Sequence, residues 1–398
     1  MPSKVSSLST FVITCIVVGM VSCSGMPNGT ASGSNAGDTG SGNPGSTRPS
    51  GAEILYEAFT SLDVTSTGIR AFNVNASNGT LNLLPGFPVS GPFHAITTAP
   101  PGRLLFNSHA SDGGIHIDIT AFRINGSSGS LAQSADNPGN SPNLLGPVFH
   151  PNGKFLYLLD VFQDVIFGYA FDSSGKFSPL PGSPYAVGIP ADSIDIDPHG
   201  RFLYAGSSPR DNVMGFSIDQ ATGALIMLPG MPTQVRSFTP CDCPIKAFTG
   251  IALRFGSSGQ LLFIADAGNG VMTSWAVDQN TGALTKAGTA PDEKAATNMV
   301  VTPNDKFLYD AGSTNGIHGF VIGPGGTLAP MPAAFPVPIG FESFIVIGLT
   351  IDPSGRFLYQ ANNSGRFSGY IIDQNTGNLA ANGQVFSDTA PNSITIIR

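Results

Sequence analysis

Charged side chains are scarce in this chain, with 18 Lys and Arg and 26 Asp and Glu among 398 residues, so a charge inside an apolar strand stands out. Two such charges are Asp195 in Ser193-Ile194-Asp195-Ile196 and Arg254 in Ile251-Ala252-Leu253-Arg254-Phe255. A guanidinium at Arg254 could steady an oxyanion or a substrate carboxylate. A carboxylate at Asp195, or at Asp192 just upstream, could orient water or a base. The plainer role for the pair is a salt bridge, because an unpaired charge in such a place is costly. Of the four cysteines, Cys241 and Cys243 sit in an insertion of roughly 233–250 and could close a Cys-x-Cys disulfide that staples a long loop. Neither has a His or further Cys nearby at ligand spacing, so no metal and no cofactor are expected. Strings such as Gly323-Pro324-Gly325-Gly326 read as turns, not phosphate loops, because no helix follows them.

The elements that carry these residues repeat. The phrase Asp352-Pro353-Ser354-Gly355-Arg356-Phe357-Leu358-Tyr359 recurs at Asp197–Tyr204, Pro151–Tyr157 and Pro303–Tyr309, with weaker copies at Pro101–Phe106 and Ser258–Phe263. A second phrase, an apolar strand followed by a polar turn with Gly and then Leu, runs in step with it, as in Gly215–Leu225 and Gly369–Leu379. It occurs seven times. One unit reads as a four-stranded antiparallel meander. The Pro-x-Gly turn precedes the aromatic second strand, and the Asp/Asn-x-Thr-Gly tetrad turns the third strand into the fourth. A long period built from turn and strand residues marks a repeat architecture.

Aligned on the Pro-x-Gly turn, the first strands of the units show Thr97, Val148, Asp195, Arg254, Val300, Thr350 and Thr395 at one position. Asp195 and Arg254 therefore occupy equivalent places in neighbouring units. The chain ends on a lone first strand, Ser393–Arg398, whereas the first unit opens at Ile54-Leu55-Tyr56 without one. The fold expected is all-β: a seven-bladed β-propeller of four-stranded antiparallel blades, residues 51–398, whose ring is closed by the C-terminal strand pairing with the N-terminal strands. Fifty Gly and 32 Pro suit its many turns. The net charge of −8 gives no basic stripe for nucleic acid.

Residues 1–22 read as an export signal, with Lys4 ahead of an apolar stretch from about Leu8 to Val21. Met20-Val21-Ser22-Cys23 resembles a bacterial lipobox, which makes Cys23 the candidate lipid-modified residue. Residues 23–50, rich in Gly, Ser, Asn and Thr, read as a flexible tether. The expected location is the cell envelope, with a lipid anchor as the membrane contact, or else secretion, as a monomer.

The Pro-x-Gly-Arg/Lys-Phe-Leu-Tyr phrase joined to the Asp-x-x-Thr-Gly-x-Leu turn resembles the lactonase family of seven-bladed propellers, which includes 6-phosphogluconolactonase and is related to YVTN-type repeats. The resemblance implies hydrolysis of a sugar lactone at one end of the central channel by His, Glu and Arg side chains. It puts His94, ahead of the strand 95–99, where the family often has a His, as general acid or base beside Arg254, Asp192 and Asp195. The family also tends to carry Glu or Arg just after the aromatic strand. The third residue after the aromatic here is Phe59, His109, Asp160, Ser207, Asp266, Gly312 or Asn362, and the Asp and Asn among them suit turn-holding roles. Two functions of different class follow: a carboxylic ester hydrolase acting on a lactone, or a noncatalytic envelope scaffold for a protein or glycan. An export signal argues against a phosphorylated substrate.

Overall fold

The computed structural model describes residues 53–397 apart from 62–66, 92, 94, 101, 112–115, 136–143, 208–210, 236–250, 267–269, 293–295, 313–315, 333–345, 363–366 and 387–388. The expected signal, Cys23, the tether, His94, Cys241 and Cys243 lie outside the described residues.

Alternation of apolar residues and regular turn chemistry produce seven antiparallel sheets, each ordered first to fourth strand from the axis outward. Blade 1 takes its first strand from the C-terminus: Thr389–Ile397 pairs with Ile54–Ser61, with Tyr56 opposite Thr395, and Thr67–Val74 and Leu81–Leu83 follow. The ring is thus closed as the two chain ends implied. Blade 2 comprises Ala95–Ala99, Leu104–Ser111, His116–Ile124 and Leu131–Ala135, blade 3 Leu144–Phe149, Phe155–Asp160, Val165–Phe171 and Phe177–Pro179, blade 4 Ser193–Ile196, Phe202–Ser207, Asn212–Ile218 and Leu225–Met227, and blade 7 Val346–Ile351, Phe357–Asn362, Phe367–Ile372 and Leu379–Phe386. Blade 5 comprises Ile251–Phe255, Leu261–Asp266, Val271–Val277 and Leu284–Pro291, and blade 6 Ala296–Val301, Phe307–Gly312, Ile317–Ile322 and Leu328–Pro330. First strands contact one another from blade to blade, which places them innermost.

The repeated tyrosine explains why the blades lock. Tyr56, Tyr157, Tyr204, Tyr309 and Tyr359 are fully buried. Their hydroxyls donate to the carbonyls of Gly129, Gly223, Gly282, Gly377 and Gly79 at 2.5–2.8 Å. Each acceptor is the glycine of the tetrad turn in the next blade, and the last bond runs from blade 7 to blade 1. The aromatic thus buries a large apolar surface while satisfying a carbonyl that water cannot reach, worth about 1 kcal/mol per bond.

The tetrad must hold still to offer that carbonyl. In blade 4, Asp219 Oδ1 accepts the backbone N–H groups of Ala221 and Thr222 at 3.1 and 2.8 Å. Gly223 turns the chain at φ 74°, where a Cβ would lie 2.8 Å from the Phe155 ring. Glycine is required there for both reasons.

Candidate functional site

The first-strand alignment made from sequence is realised in register. Thr97, Val148, Asp195, Arg254, Val300, Thr350 and Thr395 each lie opposite the aromatic that ends the Phe-Leu-Tyr triplet: Phe106, Tyr157, Tyr204, Phe263, Tyr309, Tyr359 and Tyr56. Asp195 and Arg254 therefore stand at one level on adjacent innermost strands, but their environments differ. Asp195 is buried, and its Oδ2 accepts the backbone N–H of Phe255 at 2.7 Å. Arg254 is exposed. Burial raises the carboxyl pKa of Asp195, opposed by the through-space attraction of Arg254 and by the N–H groups of Phe255 and Ile196.

The contact expected between the two side chains thus takes another form: Asp195 holds the neighbouring strand by its backbone, and the guanidinium remains accessible. The reason is topological. An innermost strand has a sheet partner on one edge only, so some of its N–H groups must find acceptors across the gap between blades. Ser193 works in the same gap, its Oγ donating to Ile251 O at 2.5 Å.

Asp192 precedes the strand, with its backbone N–H bonded to Gly206 O at 2.9 Å. It lies three residues from Asp195, about 10 Å along an extended chain. By the same count His94 precedes Thr97 by three residues. The described candidates therefore divide into two levels, Asp192 apart from Asp195 and Arg254. Asp160, after the aromatic strand of blade 3, accepts the N–H groups of Phe162 and Gln163 at 2.9 and 3.0 Å and the Gln163 amide at 3.0 Å, which is the turn-holding role expected of it.

A second cluster, between blades 5 and 6, escaped the sequence reading. Leu308 and Phe320 of blade 6 pack with Ala290 of blade 5 in one apolar cluster. Two residues from these stand Asp310 and His318, on the same two strands of blade 6, and Asp292, just past the end of the fourth strand of blade 5. Asp310 and His318 are cross-strand partners. His318 Nδ1 lies 3.5 Å from an oxygen of Asp292 and 3.5 Å from one of Asp310. Asp310 is 0% and Asp292 8% exposed, and none of their four carboxylate oxygens has a hydrogen-bond partner among the described residues. Burial, reinforced by the Asp292 charge, pushes the Asp310 carboxyl up to about 7 against the pull of His318. The two carboxylates hold the His318 imidazolium, up to about 10.

The signal that could have found this cluster is the residue directly after the aromatic: Glu57, Asn107, Leu158, Ala205, Ile264, Asp310 and Gln360. Four of the seven are polar and buried, where the repeat otherwise calls for an apolar residue.

The chain is similar in sequence to the family described as lactonase, 7-bladed beta-propeller, over residues 148–236, which span Asp192 and Asp195. No curated protein matches it in sequence. Among solved structures, the periplasmic gluconolactonase PpgL of Pseudomonas aeruginosa superposes with a TM-score of 0.68 at 19% identity, covering 87% of this chain and 99% of its own. A proposed 6-phosphogluconolactonase of Bacteroides uniformis gives 0.66 at 17% identity, covering 87% and 99%. A functionally unknown protein of Desulfotomaculum acetoxidans gives 0.62 at 14%, again covering 87% and 99%. At these identities the likeness is one of fold, and it covers the whole ring.

Proposed function

We propose that this chain is an exported hydrolase of a sugar lactone or related lactone, working at a mouth of the central channel. The observation that carries the reading is the exposed guanidinium of Arg254 on an innermost strand, left accessible because Asp195 engages Phe255 N–H instead. The family match over 148–236 and the gluconolactonase among the similar folds support lactone chemistry. In this reaction His94 takes a proton from water as it attacks the lactone carbonyl. Arg254 steadies the oxyanion. The ring oxygen then leaves, protonated, to yield the hydroxy acid. Asp192 orients the base or the water, and Asp195 positions the strand that carries Arg254.

Export rests on the apolar stretch from Leu8 to Val21 and on Cys23 as the lipid-bearing residue. An envelope location makes a neutral lactone the better substrate than a phosphorylated one. The test is hydrolysis of a panel of sugar and aryl lactones by wild type, His94→Ala and Arg254→Ala. Each substitution should lower kcat/KM by roughly 10²–10³-fold on the preferred lactone. Equal background rates for all three proteins would sink the hydrolase reading and leave a noncatalytic envelope scaffold.

A further inference from the structure

Asp292, Asp310 and His318 lie away from the innermost strands and have no part in the hydrolysis proposed above. We propose that they form a binding site for one first-row divalent cation, Zn²⁺ foremost, that clamps blade 5 to blade 6. Three features carry this. The ligand atoms, two carboxylate oxygens and one imidazole nitrogen, lie within 4.8 Å of one another. Their arrangement fits: ligands about 2.1 Å from a tetrahedral metal stand about 3.4 Å apart, close to the 3.5 Å from His318 Nδ1 to each carboxylate. Finally, two carboxylates buried with all four oxygens lacking a hydrogen-bond partner among the described residues are rare in a folded protein without a reason.

Charge points the same way. Two carboxylates and a neutral imidazole balance a divalent ion, whereas one imidazolium leaves an excess negative charge in a buried place. The mixed nitrogen and oxygen set favours zinc or manganese over calcium or magnesium, which prefer oxygen alone, and over copper(I), which prefers sulfur. Three protein ligands leave a fourth position for water, and the His318 side chain, 24% exposed, marks the side from which an ion can enter.

The site also explains why two strands of blade 6 and the segment just after the fourth strand of blade 5 bring their polar residues together. Leu308, Phe320 and Ala290 pack in the apolar seam, and the residue two positions from each is a ligand. A cation here would tie the loop after the fourth strand of blade 5 to the second and third strands of blade 6.

The test uses the full chain, stripped with chelator and titrated with Zn²⁺ by calorimetry and with Co²⁺ by visible absorption. A background with Cys15, Cys23, Cys241 and Cys243 all changed to Ser separates binding by thiols. One equivalent per chain is expected, with a Co²⁺ spectrum of four-coordinate type and a Tm that rises with metal concentration. Asp310→Asn, Asp292→Asn and His318→Gln should each weaken binding by more than roughly 100-fold, since they remove a ligand and not merely its support. Should a variant fold poorly, the wild-type Co²⁺ spectrum decides alone: oxygen and nitrogen ligation without thiolate bands supports the site. Absence of uptake by wild type, or uptake unchanged by the substitutions, overturns it. Lactone hydrolysis need not change in either case, so this result stands apart from the fate of the hydrolase reading.

Discussion

Glu57 in blade 1 and Asp310 in blade 6 occupy the same position of the repeat, one residue after the aromatic, and both are fully buried. Their neighbours make them opposites. Glu57 faces Arg70 across the strand pair in a bidentate ion pair, Nε to Oε2 at 2.8 Å and Nη2 to Oε1 at 2.9 Å. The guanidinium also lies over the rings of Phe59 and Phe72, at 5.3 and 5.6 Å. One positive charge meets one negative charge with matched donors and acceptors. Asp310 faces a single imidazole that must serve a second carboxylate as well, at longer distances. The same slot thus holds a self-sufficient pair in one blade and an incomplete set in another. A completed pair is architecture, whereas an incomplete one calls for a ligand.

The sharpest way to break this contrast is to open the completed pair. Arg70→Met should destabilise the fold by about 3–5 kcal/mol in chemical denaturation, because Glu57 is left buried and uncompensated. Adding Glu57→Met should recover most of that loss. If the single change costs less than about 1 kcal/mol, the pair is not the structural element described. Asp310→Asn should act with the opposite sign. In metal-free protein it removes an excess buried charge and raises stability by roughly 1–3 kcal/mol, and a loss of stability would mean that the triad is already satisfied.

Tyr157→Phe tests the seams that all blades share. It deletes the bond to Gly223 O while keeping the ring, and it should cost about 1 kcal/mol. Blades 2 and 5, which already carry Phe106 and Phe263, show that the ring alone is tolerated.

The smallest effect concerns Asp197, a buried carboxylate with a partly exposed partner. Burial alone would raise its pKa, but bonds from Arg201, at 2.8 Å from Nε and 3.1 Å from Nη2, and from nearby backbone N–H groups outweigh it and hold the value below the usual one. Its contribution is therefore present above the unfolded value near 4 and is lost as pH falls through the lower folded value. Asp197→Asn should flatten the acid limb of the stability profile by lowering stability at neutral pH, with the two proteins converging below the folded value. A steeper acid limb in the variant would contradict the assignment.

The fold was legible because a propeller repeats its physics. Pro-x-Gly turns, aromatic second strands and Asp-x-x-Thr-Gly hairpins each announce themselves locally, and the unmatched ends at Ile54 and Ser393 imply closure. The level shared by Asp195 and Arg254 was also legible, since register follows from alignment on a turn. What the two charges do there was not. Whether a carboxylate takes a guanidinium or a neighbouring N–H depends on the gap between innermost strands, and that gap is absent from any single strand.

Periodicity and turn chemistry, both short-range, determined from sequence alone the number of blades, the order of strands and the equivalence of positions. The tertiary structure alone decided the polar seams. Asp292 lies at the end of one blade and His318 within the next, separated by a strand pair, and only blade-to-blade packing brings them to 3.5 Å. Charges interact through space and not along the chain, so a buried cluster drawn from two repeats leaves no local pattern beyond a polar residue where an apolar one is due.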